Sequence, residues 1–189
     1  MAAKKLNFID LFCGCGGFSY GLEKAGLNCL AGIDFLKDAI ETFDLNHPNA
    51  VSICEDLRKL DPKNVKSLIK NKKVHLICGG PPCQGFSTIG TGDANDSRNH
   101  LFLEFVKFVD YFRPNYILVE NVTGLLAEKN RSTLLSIFKC FEEIGYHIDV
   151  KVLCSDHYGV PEARRRVIFV GNNKNIKNEF PEQIYGDDV

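Results

Sequence analysis

The chain has 189 residues, 44% of them hydrophobic, and a formal net charge of −1. This length and composition predict one soluble globular domain with a real core, and the near-neutral charge excludes a global attraction to nucleic acid, so any such contact has to come from local basic patches. The eight cysteines would suggest disulfides in a secreted chain, but no signal peptide opens the sequence, so we expect reduced thiols and a cytoplasmic location, the bacterial cytosol or, in a eukaryote, the nucleus.

Membrane and zinc sites are not expected either. No apolar run approaches the roughly 20 residues that span a bilayer, so no membrane partner is predicted. Cys13 and Cys15 form only a CxC, and no second pair stands at finger-like spacing, so we predict no metal.

Apolar runs alternate with amphipathic stretches along the chain. This alternation is a repeated βα pattern and predicts a doubly wound, mostly parallel α/β sheet. The predicted strands are residues 6–12, 29–33, 51–54, 74–78, 116–119, 148–153 and 167–170. The predicted helices are residues 18–25, 37–46, 62–71, 101–112 and 132–144.

The first predicted turn, residues 12–17, reads FCGCGG between a strand and a helix. Its glycines Gly14, Gly16 and Gly17 would let the backbone approach a nucleotide-like ligand, although a tight βα connection needs the same residues. About 20 residues on, Asp34 could accept hydrogen bonds from both ribose hydroxyls, and Asp56 is available for an adenine amino group. The pattern favours an adenosyl ligand, whereas the absence of GxxxxGK[ST] disfavours a nucleoside triphosphate.

Residues 74–87, VHLICGGPPCQGFS, predict a buried strand that delivers Cys83 at a forced bend. Proline fixes φ and restricts the residue before it, so Pro81 and Pro82 would hold the thiol in place. Chemistry in open α/β sheets lies just past the carboxyl ends of the strands, and Cys83 has such a place. The alternative is a buried structural cysteine, the commonest fate of a free thiol.

Polar groups also follow the other predicted strands: Asp34 the second, Glu55 and Asp56 the third, and Glu120 and Asn121 the fifth. Any one of these carboxylates could be a helix cap or a solvated loop residue. Together with the glycine turn and the GGPPC turn they predict a ligand crevice at one edge of the sheet.

Five segments in this order resemble the DNA cytosine C5 methyltransferases: FIDLFCGCGGFSYGLEKAG, GGPPCQGFS, DSRNHLF, ENV and YGVPEARRRVIFVG. The resemblance covers about residues 7–171. It implies the Rossmann-like fold of the S-adenosyl-L-methionine-dependent methyltransferases, S-adenosyl-L-methionine as the methyl donor and double-stranded DNA as the substrate. The target cytosine would swing out of the duplex.

The resemblance also implies roles for the catalytic residues. Cys83 would add to C6 of the cytosine, and Glu120 would contact N3 and the exocyclic amine. Arg164 and Arg166 would lie near the flipped base. Arg165 would point to the opposite side of an extended segment and contact nucleic acid, or belong to a solvated or phosphate-binding patch.

Further positions carry over more weakly. By resemblance Phe12 and Phe35 would border the adenine, although each could equally be a core residue. The chain has Asp34 where the family often has glutamate, and Glu162 where a glutamine is usual; the added charge could weaken DNA contact or be tolerated. The other carried-over positions are Leu57, Pro82 and Leu101 at the cofactor, and Gln84, Ser87 and Arg98 near the DNA backbone or a mobile catalytic loop.

Family members normally continue past the YGVP segment into a target-recognition domain and two further stretches. We therefore expect residues 1–171 to form an incomplete catalytic domain and residues 172–189 to be a polar tail toward an absent recognition domain. The chain would be a fragment or one subunit of a split enzyme whose partner carries target recognition. Three alternatives remain: a tRNA cytosine-5 methyltransferase, a catalytically silent cofactor-binding module, and an NAD-dependent dehydrogenase.

Overall fold

The computed structural model describes residues 5–82 and 97–186, with the backbone alone for residues 97–100. Its described strands are β1 Asn7–Leu11, β2 Asn28–Asp34, β3 Val51–Cys54, β4 Leu76–Gly79, β5 Tyr116–Val122, β6 His147–Cys154 and β7 Arg165–Asn172. The α-helices are α1 Gly17–Lys24, α2 Lys37–Asn46, α3 Pro62–Leu68, α4 Ser97–Phe112 and α5 Arg131–Glu143.

The strands form one seven-stranded sheet in the order β3-β2-β1-β4-β5-β7-β6. The first five strands in this order are parallel, whereas β7 runs antiparallel to both β5 and β6. In this register Val122, at the end of β5, faces Arg166, at the start of β7. The antiparallel strand therefore brings the arginine segment to the edge where the parallel strands end.

Two cores lie on opposite faces of the sheet. Side chains of β1 alternate between them: Phe8 belongs to the core under α1 and α2, while Ile9 and Leu11 belong to the core under the other three helices. Such alternation is required because successive strand residues point to opposite faces. Both faces are thus covered by helices, and the doubly wound, mostly parallel fold is confirmed.

The element boundaries differ from the predicted ones by a few residues, for local reasons. β1 ends at Leu11 because Phe12 turns into the left-handed region with φ 64°. α3 ends at Leu68, short of the predicted residue 71, because Lys70 and Asn71 have φ of 55° and 53° and cannot continue a right-handed helix.

Within the described ranges no helix is long and apolar enough to cross a membrane. The same part of the chain contains no cluster of three or more histidine, cysteine or carboxylate side chains placed to hold a metal ion.

Candidate functional site

A cavity of about 360 Å³ opens at the carboxyl edge of the parallel strands. It is lined by the end of β2, by the residues that follow β3, and by Gly80 and Pro82 after β4. Seven of the ten residues predicted for the cofactor line it: Phe12, Asp34, Phe35, Asp56, Leu57, Pro82 and Leu101. The predicted adenosyl residues therefore surround one space.

Five further residues line the same cavity: Ile33, Leu36, Glu55, Arg58 and Gly80. Glu55 and the turn that contains Gly80 were predicted to lie at the ligand crevice without a contact to the cofactor, whereas the other three were not predicted. Ile33 and Leu36 lie within two residues of Asp34, so proximity along the chain could have found them. Arg58 carried no signal beyond its place two residues after Asp56.

The glycines Gly14, Gly16 and Gly17 do not line this cavity; they shape the turn beside it. Gly14 and Gly16 adopt φ of 53° and 91°, the left-handed region that glycine enters without penalty. Gly16 is the N-cap of α1, and its carbonyl accepts the first helical bond, from the Tyr20 amide at 2.8 Å. Gly14 and Gly16 thus set the backbone of the turn, and contact of the three glycines with the cofactor stays a prediction.

Asp34 links that turn to the cavity. One carboxylate oxygen accepts from the Gly14 amide at 2.9 Å, and the other accepts from the Leu36 amide at 3.0 Å. Each oxygen has further lone-pair capacity, so two ribose hydroxyls can still be bonded. The shorter carboxylate therefore fixes the glycine turn while it faces the cavity.

Asp56 is engaged by Arg58. Arg58 Nε lies 3.0 Å from both carboxylate oxygens, and the Arg58 backbone amide donates to Oδ1 at 3.0 Å. The guanidinium holds the pKa of the Asp56 carboxyl below its usual value. The carboxylate is thus an ionised acceptor at the cavity wall, oriented by a paired cation.

Glu120 forms a second cluster at the same edge. Arg166 Nε donates to Glu120 Oε1 at 2.8 Å, and Arg164 Nη2 lies 3.7 Å from the same oxygen. The Glu120 side chain is 31% exposed, so it remains accessible. The guanidiniums of Arg164 and Arg166 therefore both lie beside the Glu120 carboxylate.

The segment after β4 runs past this cluster. A Cβ at Gly80 would lie 3.4 Å from Glu120 Oε2, and Asn121 Nδ2 donates to the Pro81 carbonyl at 2.9 Å. The sequence predicted Asn121 at the crevice without a specific role; in the structure its side chain hydrogen-bonds the backbone of the double-proline turn. Cys83, Gln84 and Ser87 lie outside the described residues, as does the side chain of Arg98, whose backbone is in the first turn of α4.

Arg165 lies apart from that cluster. It faces Cys154 of β6 in the strand register and lines a different cavity of about 390 Å³ with Val152, His157 and Gln183. Successive side chains of an extended segment point to opposite faces. Arg164 and Arg166 accordingly lie at Glu120, and Arg165 lies at the separate cavity. Glu162 is exposed in the turn before β7.

The sheet order with one antiparallel strand, the carboxyl-edge cavity and the adjacent acid–arginine cluster define a Rossmann-like fold of the methyltransferase type. A crystal structure of a DNA modification methyltransferase encoded within an E. coli prophage superposes with a TM-score of 0.80 at 34% identity, over 94% of this chain and 49% of that one. The family model for C-5 cytosine-specific DNA methylases matches residues 6–187. The chain belongs to this family.

Curated relatives include bacterial type II methyltransferases. The chain is 44% identical to M.DdeI of Desulfomicrobium norvegicum, over 93% of this chain and 42% of the relative. It is 39% identical to M1.HphI of Haemophilus parahaemolyticus, over 94% of this chain and 48% of the relative. The chain thus spans a little under half the length of these relatives.

Proposed function

We propose that the chain is the catalytic part of a DNA cytosine-5 methyltransferase, acting as a fragment or as one subunit beside a part that recognises the target. It would transfer a methyl group from S-adenosyl-L-methionine to C5 of a flipped-out cytosine. The observation that carries the proposal is the meeting, at one sheet edge, of the Glu120–Arg166 pair and the cavity bordered by Asp34 and Asp56. Bacterial restriction and modification is the setting that the relatives favour.

The cavity fits an adenosyl group in shape and chemistry. The aromatic side chains of Phe12 and Phe35 border it, which suits a purine ring. Asp34 offers carboxylate oxygens to ribose hydroxyls, and Asp56 offers an ionised acceptor to an exocyclic amine. Bound there, S-adenosyl-L-methionine would supply an electrophilic methyl group.

The remaining chemistry belongs to the chain's own residues. C5 of cytosine is a poor nucleophile until a thiolate adds at C6, and Cys83 is proposed for that addition. Glu120 would donate a proton to N3 and accept a hydrogen bond from the exocyclic amine as electron density shifts into the ring, and Arg166 would orient that carboxyl. After methyl transfer the C5 proton would pass to solvent and the N3 proton would return to Glu120. The Cys83 sulfur would then leave as a thiolate and the ring would regain its aromaticity.

Covalent trapping tests this proposal. A single-stranded oligonucleotide with 5-fluorocytosine avoids the need for flipping. The adduct accumulates because C5 carries fluorine in place of the proton that has to leave. With S-adenosyl-L-methionine present, the chain should form a complex stable to denaturing electrophoresis, and Cys83→Ala should form none. Cys78→Ala is the matched control, because Cys78 is fully buried in β4 and should leave trapping intact.

The other outcomes separate the alternatives. Trapping of RNA in preference to DNA would replace the proposal with a tRNA methyltransferase. Cofactor binding without any adduct would indicate a silent module. Binding of NAD but not of S-adenosyl-L-methionine, measured by calorimetry, would indicate a dehydrogenase.

A further inference from the structure

Residues at the end of α2 hydrogen-bond the glycine turn, residues 12–17, that precedes α1. Asn46, the last residue of α2, donates from Nδ2 to the Cys15 carbonyl at 3.1 Å. His47, the next residue, places Nε2 3.0 Å from the Gly16 carbonyl. Two consecutive side chains therefore bond two consecutive carbonyls of the turn.

The surroundings of His47 offer an acceptor to each of its ring nitrogens. Its side chain is fully buried, and Nδ1 lies 2.7 Å from Glu23 Oε2, whose side chain is 32% exposed. A carbonyl oxygen can only accept a hydrogen bond, and an ionised carboxylate can only accept one. The Gly16 carbonyl and the Glu23 carboxylate are therefore both placed to accept from the imidazole.

Two other side chains are neighbours of His47. The Phe43 ring lies 4.4 Å from the imidazole, centroid to centroid. Asp10 on β1 is fully buried and interacts electrostatically with His47.

The contacts continue from His47 to the cavity. Gly16 caps α1, the turn positions the Gly14 amide, and that amide donates to Asp34 at the cavity wall. A Cβ at Gly16 would lie only 2.2 Å from His47 Nε2, so the turn and the imidazole are in close contact.

We propose that His47, paired with Glu23, is a positioning residue whose ring nitrogens clamp the glycine turn and thereby set affinity for the adenosyl cofactor. Without the imidazole, the Gly16 carbonyl loses this partner and the turn loosens. Asp34 then loses its fixed contact with the Gly14 amide. The inference rests on the adenosyl site proposed above, although the clamp itself exists in the chain alone.

The first test examines the clamp without ligand. Nitrogen NMR of the His47 ring at pH 6.5 should show both nitrogens protonated. Hydrogen exchange of the amides of residues 14–17 should speed up at least about tenfold in His47→Ala, as expected for one lost charge-assisted bond. His147→Ala, at an exposed site on β6, should leave that exchange unchanged. A neutral ring in the native chain, or unchanged exchange in His47→Ala, would overturn the clamp.

The second test measures affinity for S-adenosylhomocysteine by calorimetry. His47→Ala should weaken binding about tenfold, whereas His47→Gln, which keeps an amide donor for the Gly16 carbonyl, should retain most of the affinity. His147→Ala on β6 should bind like the native chain. Equal affinities for the native chain and His47→Ala would show that the clamp does not act on the cofactor site. Absence of binding by the native chain would instead contradict the adenosyl site, and the clamp would then be judged on ring protonation and amide exchange.

Discussion

Asp10 is fully buried in the middle of β1, and Ser19 Oγ donates to its Oδ2 at 2.6 Å. Burial raises the pKa of this carboxyl from 3.8 to about 7, against the opposing effect of the Ser19 bond. Between these two values the folded chain binds more protons than the unfolded chain. The free energy of unfolding should therefore fall as pH rises from about 4 to about 7, and the loss is complete above that range.

Asp10→Asn removes this dependence because an amide cannot ionise. The free energy of unfolding of the variant, relative to that of the native chain, should increase by a few kcal/mol from pH 5 to pH 8. The upper bound for a pKa difference of this size is roughly 4 kcal/mol. Urea unfolding at both pH values measures the change. Asp38→Asn, at an exposed position in α2, is the control and should show no comparable trend. A pH-independent difference for Asp10→Asn would contradict the argument.

The division of the arginine run predicts unequal roles for neighbouring residues. Arg166 donates from Nε to Glu120 at 2.8 Å, whereas Arg165 lines the separate cavity beside Cys154 and His157. A lysine cannot reproduce the fork of donors, so Arg166→Lys should slow trapping of a 5-fluorocytosine oligonucleotide by about tenfold or more, the value of one charge-assisted bond.

Arg165→Lys is the matched comparison because it makes the same change one residue away. Its trapping rate should stay within about threefold of the native rate, as for a surface substitution worth up to about half a kcal/mol. Equal trapping rates for the two variants would show that the guanidinium of Arg166 has no special role at Glu120.

At the scale of elements, α5 is anchored by Phe141. Its fully buried ring meets Phe102 and Phe105 of α4 edge-on, with centroids 5.5 and 6.3 Å away. Removing the ring leaves a cavity between the two helices and the sheet, so Phe141→Ala should lower the free energy of unfolding by about 3–5 kcal/mol. Leu135→Ala on the same helix, at a site 59% exposed, should cost less than about 1 kcal/mol. Urea unfolding of both variants checks this contrast, and equal costs would show that α5 is not anchored there.

The order of elements could be predicted from the sequence because short segments rich in apolar residues, such as β2 and β4, alternate with longer stretches of helical spacing. The position of the cavity could be predicted in part, because the carboxyl ends of parallel strands share one edge of the sheet. What could not be predicted depends on side chains meeting across distance. Glu23 and His47 are 24 positions apart, and the reach of Arg58 back to Asp56 is a matter of rotamer, not of periodicity.

At the scale of the whole molecule, the described residues form a seven-stranded sheet with helices on both faces, and exposed apolar side chains stand at the cavity of its carboxyl edge. Phe35 and Leu36 line the cavity and are 66% and 53% exposed. Large apolar side chains at the mouth of a ligand cavity suit a covering element. The relatives M.DdeI and M1.HphI have more than half of their length outside the matched region, which is enough for such a cover and for target recognition.

The chain alone should therefore fold cooperatively and bind S-adenosylhomocysteine, but methylate duplex DNA poorly and without sequence choice. Transfer of labelled methyl groups to a duplex library should be at least about a hundredfold slower than with full-length M.DdeI, because an unfixed base and an open cavity both misplace the reacting atoms. Adding the C-terminal part of that relative in trans should raise the rate if it supplies the cover. Robust, site-specific methylation by the chain alone would show that its own residues close the cavity and choose the target.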